Sequence, residues 1–404
     1  MIAATPTSTA GKGVLYLGII VHLEGWPDDE NEARFKTHAA LVREYADLFE
    51  RYGARLTLES KEFTEGCLHW GDNVLKEMEQ RGHGIGVHAD VGGEKNYDCS
   101  RFATDLRAKK EQLEALGVTV RHVSGIVSHC DWVTAAADAG YLFTTGQVAY
   151  SVMSLPPEKR PPEFRNCPNP AACHQPFPTE LKDRIHPWRM SSGTDWLTHD
   201  PKGRLVLLPS SGGLACMQEE TSSPTTSHTG CEFTQEDIDA FIRQLEEALS
   251  YVEPDKVNIY YISWSLGKSL DKGLLETWLQ RIQPYVQSGR VEWKTLPQMY
   301  DAYVAWEQGG ISATPPPQPA GQCPNGYITF AVNAHDIRYV GQSADTILRL
   351  IGILEIQRAW RFLPHRAACR TLHTATPGCD RTPARQPDDH QLSHPPAPSG
   401  VSGL

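Results

Sequence analysis

From Leu15 to Tyr141 the chain alternates apolar runs with amphipathic helical segments, and this alternation limits the possible folds more than any other feature. The run Leu15-Tyr16-Leu17-Gly18-Ile19-Ile20-Val21-His22-Leu23-Glu24-Gly25 predicts a buried strand. A helix follows from about Ala33 to Tyr52, where Phe35, Ala39, Val42, Ala46 and Phe49 keep the three-and-four spacing of one buried face. Ala54-Arg55-Leu56-Thr57-Leu58 reads as the next strand, then a short helix through Val74, Leu75 and Met78 ends at Gly82. The strand that delivers His88 and a helix carrying Leu106, Leu113 and Leu116 continue the pattern. Strands separated by helices pair in parallel, and ligands then gather at the carboxyl ends of the strands.

Two of those strand ends carry chemistry. The first delivers His22 and Glu24, and the run Gly82-His83-Gly84-Ile85-Gly86-Val87-His88-Ala89-Asp90 delivers His88 and Asp90. Side chains two apart on a strand share a face, so each end presents an imidazole beside a carboxylate. Zinc accepts both donor types, and a catalytic site needs only three protein ligands. A structural histidine at a strand end is common, but two such pairs favour a site. His22, Glu24 and His88 are the expected ligands of a divalent metal, zinc by donor type, with side chains converging within about 5 Å.

The succession resembles the polysaccharide deacetylases of the NodB-homology type over roughly residues 14–308. Three stretches carry the resemblance. Val21-His22-Leu23-Glu24-Gly25 stands where that family has Thr-Phe-Asp-Asp-Gly, and Gly82-His83-Gly84-Ile85-Gly86-Val87-His88 matches its Gly-His-Glu-Ile-Gly-x-His stretch. His122-Val123-Ser124-Gly125, with Ala139-Gly140-Tyr141 after the next helix, resembles the third motif. The resemblance implies a deformed parallel α/β barrel. It also exposes departures: Leu23 stands at the family's catalytic base, Gly92 at its second metal histidine, and the strand Val257–Ser265 lacks the family's late histidine. His22, Asp90 or His122 would have to fill the ligand vacancy.

Composition narrows the partners. A formal charge of −11 with no run of Lys and Arg argues against nucleic acid. No apolar stretch approaches the ~18 residues of a membrane span. The segment from Ser151 to Gly230 is rich in Pro and Ser and holds Cys167, Cys173, Cys216 and Cys231. An insertion with so little core benefits from disulfides, with Cys167 near Cys173 or Cys216 near Cys231, although a small zinc site is the other reading. Disulfides favour a secreted or periplasmic address, although Met1-Ile2-Ala3-Ala4-Thr5-Pro6 lacks the regions of a signal peptide.

Thr234 and Asp237 form a capping signature for a helix through Ile238, Phe241, Leu245 and Leu249. A strand from Val257, a helix through Leu274, Trp278 and Ile282, the strand Val291-Glu292-Trp293 and a helix ending near Trp306 complete the barrel. Residues 309–323 read as a Gly- and Pro-rich linker. Residues 324–355, with Tyr327–Asp336 as a strand and Ile347, Leu350, Ile351 and Leu354 on a helix, look like the opening of a second repeat. From about Ile356 the chain loses hydrophobic period and reads as a disordered tail or, as we favour, the product of a shifted reading frame.

The expected activity is removal of acetyl groups from an acetylated polysaccharide by a monomeric, metal-dependent hydrolase. Asp90 is the expected base, and His122 or His129 the expected proton donor to the leaving group. Two other classes stay open: a glycan-binding pseudoenzyme on the same barrel, and a glycoside hydrolase using Glu24 and Asp90 as paired carboxylates.

Overall fold

The computed structural model describes residues 13–209, 233–265 and 271–309, with residues 264–265 described by backbone alone. The second-repeat segment, the tail, Cys216 and Cys231 lie outside the described residues. The chain begins with β1 (Leu15–Leu23), α1 (Glu32–Glu50), β2 (Thr57–Ser60), α2 (Glu62–Trp70), α3 (Val74–Gln80) and β3 (Gly84–His88). It continues through α4 (Phe102–Glu114), β4 (His122–Ser124), α5 (Trp132–Asp138), β5 (Phe143–Thr144), α6 (Leu181–Arg184), β6 (Trp188–Met190) and β7 (Leu205–Leu207). The last elements are α7 (Gln235–Ser250), β8 (Asn258–Ser265), α8 (Lys272–Gln287), β9 (Val291–Trp293) and α9 (Leu296–Glu307).

The strands form one sheet in the order β6-β7-β5-β4-β3-β2-β1-β8, parallel except for the β6–β7 pair. Leu15–Leu17 of β1 pair with β9 while Ile20–Leu23 pair with β2, and β8 runs along the whole opposite edge. The sheet curls back on itself. The Tyr261 hydroxyl of β8 donates to the Leu208 carbonyl just past β7 (3.1 Å) and accepts from the Gly146 amide after β5 (3.0 Å). The expected deformed parallel barrel is therefore present. No helix among the described residues is long and apolar enough to cross a membrane.

Alternation along the strands sorts the core into two layers. Leu15, Leu17, Ile19, Val21 and Leu23 of β1 face the helices with Phe35, Phe49 and Trp278, whereas Ile20 faces the barrel interior with Phe143, Val206, Tyr261 and Leu296. Both faces of β1 are covered, which explains why its sequence is an unbroken apolar run. α9 closes the lower end of the interior with Leu296, Met299 and Tyr303. The expected capping box at Thr234 and Asp237 is formed.

Three features differ from the sequence reading. β2 covers Thr57–Ser60 rather than Ala54–Leu58, because the Leu56 amide donates to the His83 ring (3.0 Å) instead of to a strand partner. α2 was not anticipated. Part of the Ser151–Gly230 segment, expected as an insertion, supplies β6 and β7 to the sheet. Cys167 and Cys173 are disulfide-bonded, with Cα atoms 5.9 Å apart, and a second disulfide joins Cys99 to Cys130.

Candidate metal centre

The interior side chains at the carboxyl ends of β1 to β4 form two rows. In the lower row the register places His22 beside Glu59, and Glu59 beside Gly86. Gly86 is needed because a Cβ there would lie 2.1 Å from His122 Nε2. Its absence lets the β4 imidazole reach over β3 towards Glu59. Glu59 is fully buried between two histidines: His22 Nε2 lies 2.9 Å from Oε2, and His122 Nε2 lies 3.1 Å from Oε1. The His122 contact is an ion-pair approach without good hydrogen-bond alignment, and Thr145 Oγ1 donates to the same Oε1 at 2.7 Å. Burial opposes ionisation of Glu59, but His122 and His22 more than offset it and hold its carboxyl well below the usual range.

The upper row contains the candidate ligands. His88 ends β3 and its Nδ1 donates to Ser124 Oγ at 2.8 Å, a tautomer assigned from the hydrogen-bond pattern. That leaves Nε2 facing two carboxylates, Glu24 Oε2 at 3.2 Å and Asp90 Oδ1 at 3.1 Å. The His22 ring packs on His88 with centroids 4.0 Å apart. Burial and His22 push the His88 pKa down, but Asp90 and Glu24 outweigh them and raise it to about 9. Burial alone would raise the Asp90 pKa, yet His88 and Lys61 hold it far below the carboxylate range.

Asp90 reaches His88 by a route the sequence reading did not foresee. β3 ends at His88, and Asp90 lies on a left-handed turn at φ 47°, the one non-glycine residue with positive φ among those described. Asp tolerates that conformation better than most residues. Lys61, immediately after β2, extends over the same cluster: its Nζ lies 2.7 Å from Asp90 Oδ2, 3.4 Å from Glu62 Oε1 and 3.8 Å from Glu24 Oε2. A cleft of about 640 Å³ opens above, lined by His22, Glu24, His88, Asp90, Lys95 and His174 among others. His174 follows directly on the turn ending in Cys173, which the Cys167 disulfide pins.

Glu24, His88 and Asp90 thus converge, and His22 and Glu59 of the lower row converge with His88, each set having donor atoms within 4.8 Å of one another; the expected trio His22, Glu24 and His88 does not meet within that span. The expected proton donors lie elsewhere. His122 is wholly buried and His129 packs against the Cys99–Cys130 disulfide, and neither is among the residues that line the cleft. Leu23 faces the helix layer, so an acid at that position would enter the apolar core and not the cleft. Glu59, Lys61 and Ser124 were not anticipated. The legible signal was Glu59 itself, a carboxylate following an apolar strand directly.

No family model matches the chain, and no curated protein matches its sequence. Among solved structures it is similar to a protein classed as a polysaccharide deacetylase from Mycobacterium smegmatis, at 14% identity over 75% of this chain and 95% of that one, TM-score 0.46. It is similar to the allantoinase Puue at 11% identity, over 73% of this chain and 92% of that one, TM-score 0.47. A third likeness, at 9% identity over 72% of this chain and 69% of the other with TM-score 0.36, is to a CE4-family pseudoenzyme mutant with restored activity. At such values the chemistry has to be argued from the side chains.

Proposed function

We propose that the chain is a metal-dependent hydrolase that removes acetyl groups from an acetylated polysaccharide, with the ion held by Glu24, His88 and Asp90. One observation carries the reading: the contacts of His88 Nε2 with Glu24 and Asp90, 3.2 and 3.1 Å, are close to the separation of about 3.3 Å that metal bonds of 2.0 to 2.2 Å impose at tetrahedral angles. One imidazole and two carboxylates suit a divalent ion of zinc type. Such an ion polarises an acyl carbonyl and acidifies water.

The protein's own groups do the remaining work. Ser124 fixes the His88 tautomer, as partners of ligating histidines commonly do. Glu59 fixes His22, whose ring supports the His88 ring from below. Lys61 neutralises part of the carboxylate charge at the rim. The alternatives are less well supported. The Glu24 and Asp90 carboxylates approach one imidazole nitrogen with oxygens within 4.8 Å of each other, tighter than the separation of about 5 Å or more between paired glycosidase acids. No Trp, Tyr or Phe among the described residues lines the cleft as a stacking platform for a sugar ring.

The test is acetate release from acetylated xylan and from N-acetylated glucosamine oligomers, before and after chelation and zinc readdition. Activity lost on chelation, restored by zinc and absent in His88→Ala is the expected result. Acetate release that survives complete metal removal, or no release from any acetylated glycan with zinc bound, overturns it.

A further inference from the structure

One wall of the cleft is made by two loops, one after β3 that includes Val91, Gly93 and Lys95, and one after β4 that includes Gly125 and Val127. They are tied together by the Val91 amide donating to the Gly125 carbonyl (3.0 Å), by the Ser128 hydroxyl donating to the Gly92 carbonyl, and by the Cys99–Cys130 disulfide. His129 lies against that disulfide with its Nε2 3.7 Å from each sulfur. Cys99 is exposed, His129 half-buried and Cys130 buried, so the group opens to solvent on one side.

We infer that these three side chains form a second metal site, for a thiophilic divalent cation such as zinc, once the Cys99–Cys130 disulfide is reduced. The geometry points to it. Zinc bonds of about 2.3 Å to sulfur and 2.0 to 2.1 Å to nitrogen, at tetrahedral angles, put sulfur and nitrogen about 3.6 Å apart. The imidazole already stands at that spacing from both sulfurs. The sulfurs themselves have to part to about 3.8 Å. With Cα atoms 5.5 Å apart, side-chain rotation suffices and the backbone need not move.

The chemistry balances with a dithiol as reductant. Two electrons and two protons pass to the protein disulfide, its S–S bond breaks to give two thiols, and the reductant closes to its own disulfide. Binding the ion then releases both thiol protons to solvent. Two thiolates and a neutral imidazole leave the fourth position to water, and the exposed side at Cys99 is the entry path. This donor set is softer than Glu24, His88 and Asp90, so the two sites differ in preference. In consequence the same cleft wall is stapled by a covalent bond in oxidising surroundings and by an ion in reducing ones. The inference stands independently of the proposed hydrolase activity.

The full-length chain is reduced with a dithiol, freed of it, and treated with iodoacetamide with and without zinc, each cysteine being followed by peptide mass spectrometry. Zinc is expected to slow alkylation of Cys99 and Cys130 together by at least tenfold, and His129→Ala to remove most of that protection. Equal alkylation rates with and without zinc overturn the inference. In parallel, cobalt(II) added to the reduced chain should give a thiolate-to-cobalt charge-transfer band that is weaker in Cys130→Ser by one bound equivalent and is not gained by the oxidised chain. An identical band in Cys130→Ser would equally overturn it.

Discussion

Lys61 Nζ stands 2.7 Å from Asp90 Oδ2 and shares the carboxylate cluster with His88, so an ammonium group occupies the rim where a divalent ion would bring its charge. The position is fixed by the chain: Lys61 directly follows β2, and its amide donates to the Leu23 carbonyl at the end of β1 (3.2 Å). An ion bound by Glu24, His88 and Asp90 meets like charge from this ammonium. Lys61→Met should therefore tighten zinc binding about tenfold, which is about 1.4 kcal/mol. A zinc titration by competition with a chromogenic chelator measures it. Unchanged affinity would mean that the ammonium swings clear of the ion at no cost.

Gly86→Ala should destabilise the fold, because the new methyl overlaps a His122 ring that is fully buried and stacked on Phe143 with centroids 4.6 Å apart. Overpacking of this kind costs about 1–3 kcal/mol. Chemical denaturation measures the loss. Adding His122→Ala removes the overlap, so the double variant should be more stable than the sum of the two single effects implies.

Leu23→Asp places a carboxylate in the helix-side core, where Leu23 is fully buried in the same apolar cluster as Phe35 and Phe63. The change should cost on the order of 4 kcal/mol or more. It should not raise acetate release. A stable Leu23→Asp protein with increased activity would show that the first strand end turns its Leu23 side chain to the cleft.

His88 links stability to pH in the metal-free protein. Its folded pKa is raised to about 9 by Asp90 and Glu24 acting against burial and His22, above an unfolded value of about 6.5. A raised pKa stabilises fully below the unfolded value and loses that contribution as pH rises through the folded one. The melting temperature of chelator-treated protein should fall between pH ~6.5 and ~9. His88→Gln should flatten that slope, and an equal slope in both proteins would remove the protonated His88 from the account.

The sequence by itself determined the strand and helix alternation, because an unbroken apolar run such as β1 and a three-and-four stripe such as Phe35, Ala39, Val42 and Phe49 are local consequences of burial on two faces or one. It also determined that His-x-acid pairs stand at the carboxyl ends of β1 and β3, and so that His22, Glu24 and His88 were candidate ligands and Asp90 a candidate base. Only the tertiary structure decided which donors meet. Asp90 comes back to His88 through a left-handed turn, a backbone choice that strand alternation does not encode. His22 is drawn one row down by Glu59, and His122 joins it only because Gly86, on a different strand, leaves the space. Those pairings depend on lateral register between strands brought together by crossover helices, which spacing along the chain does not specify.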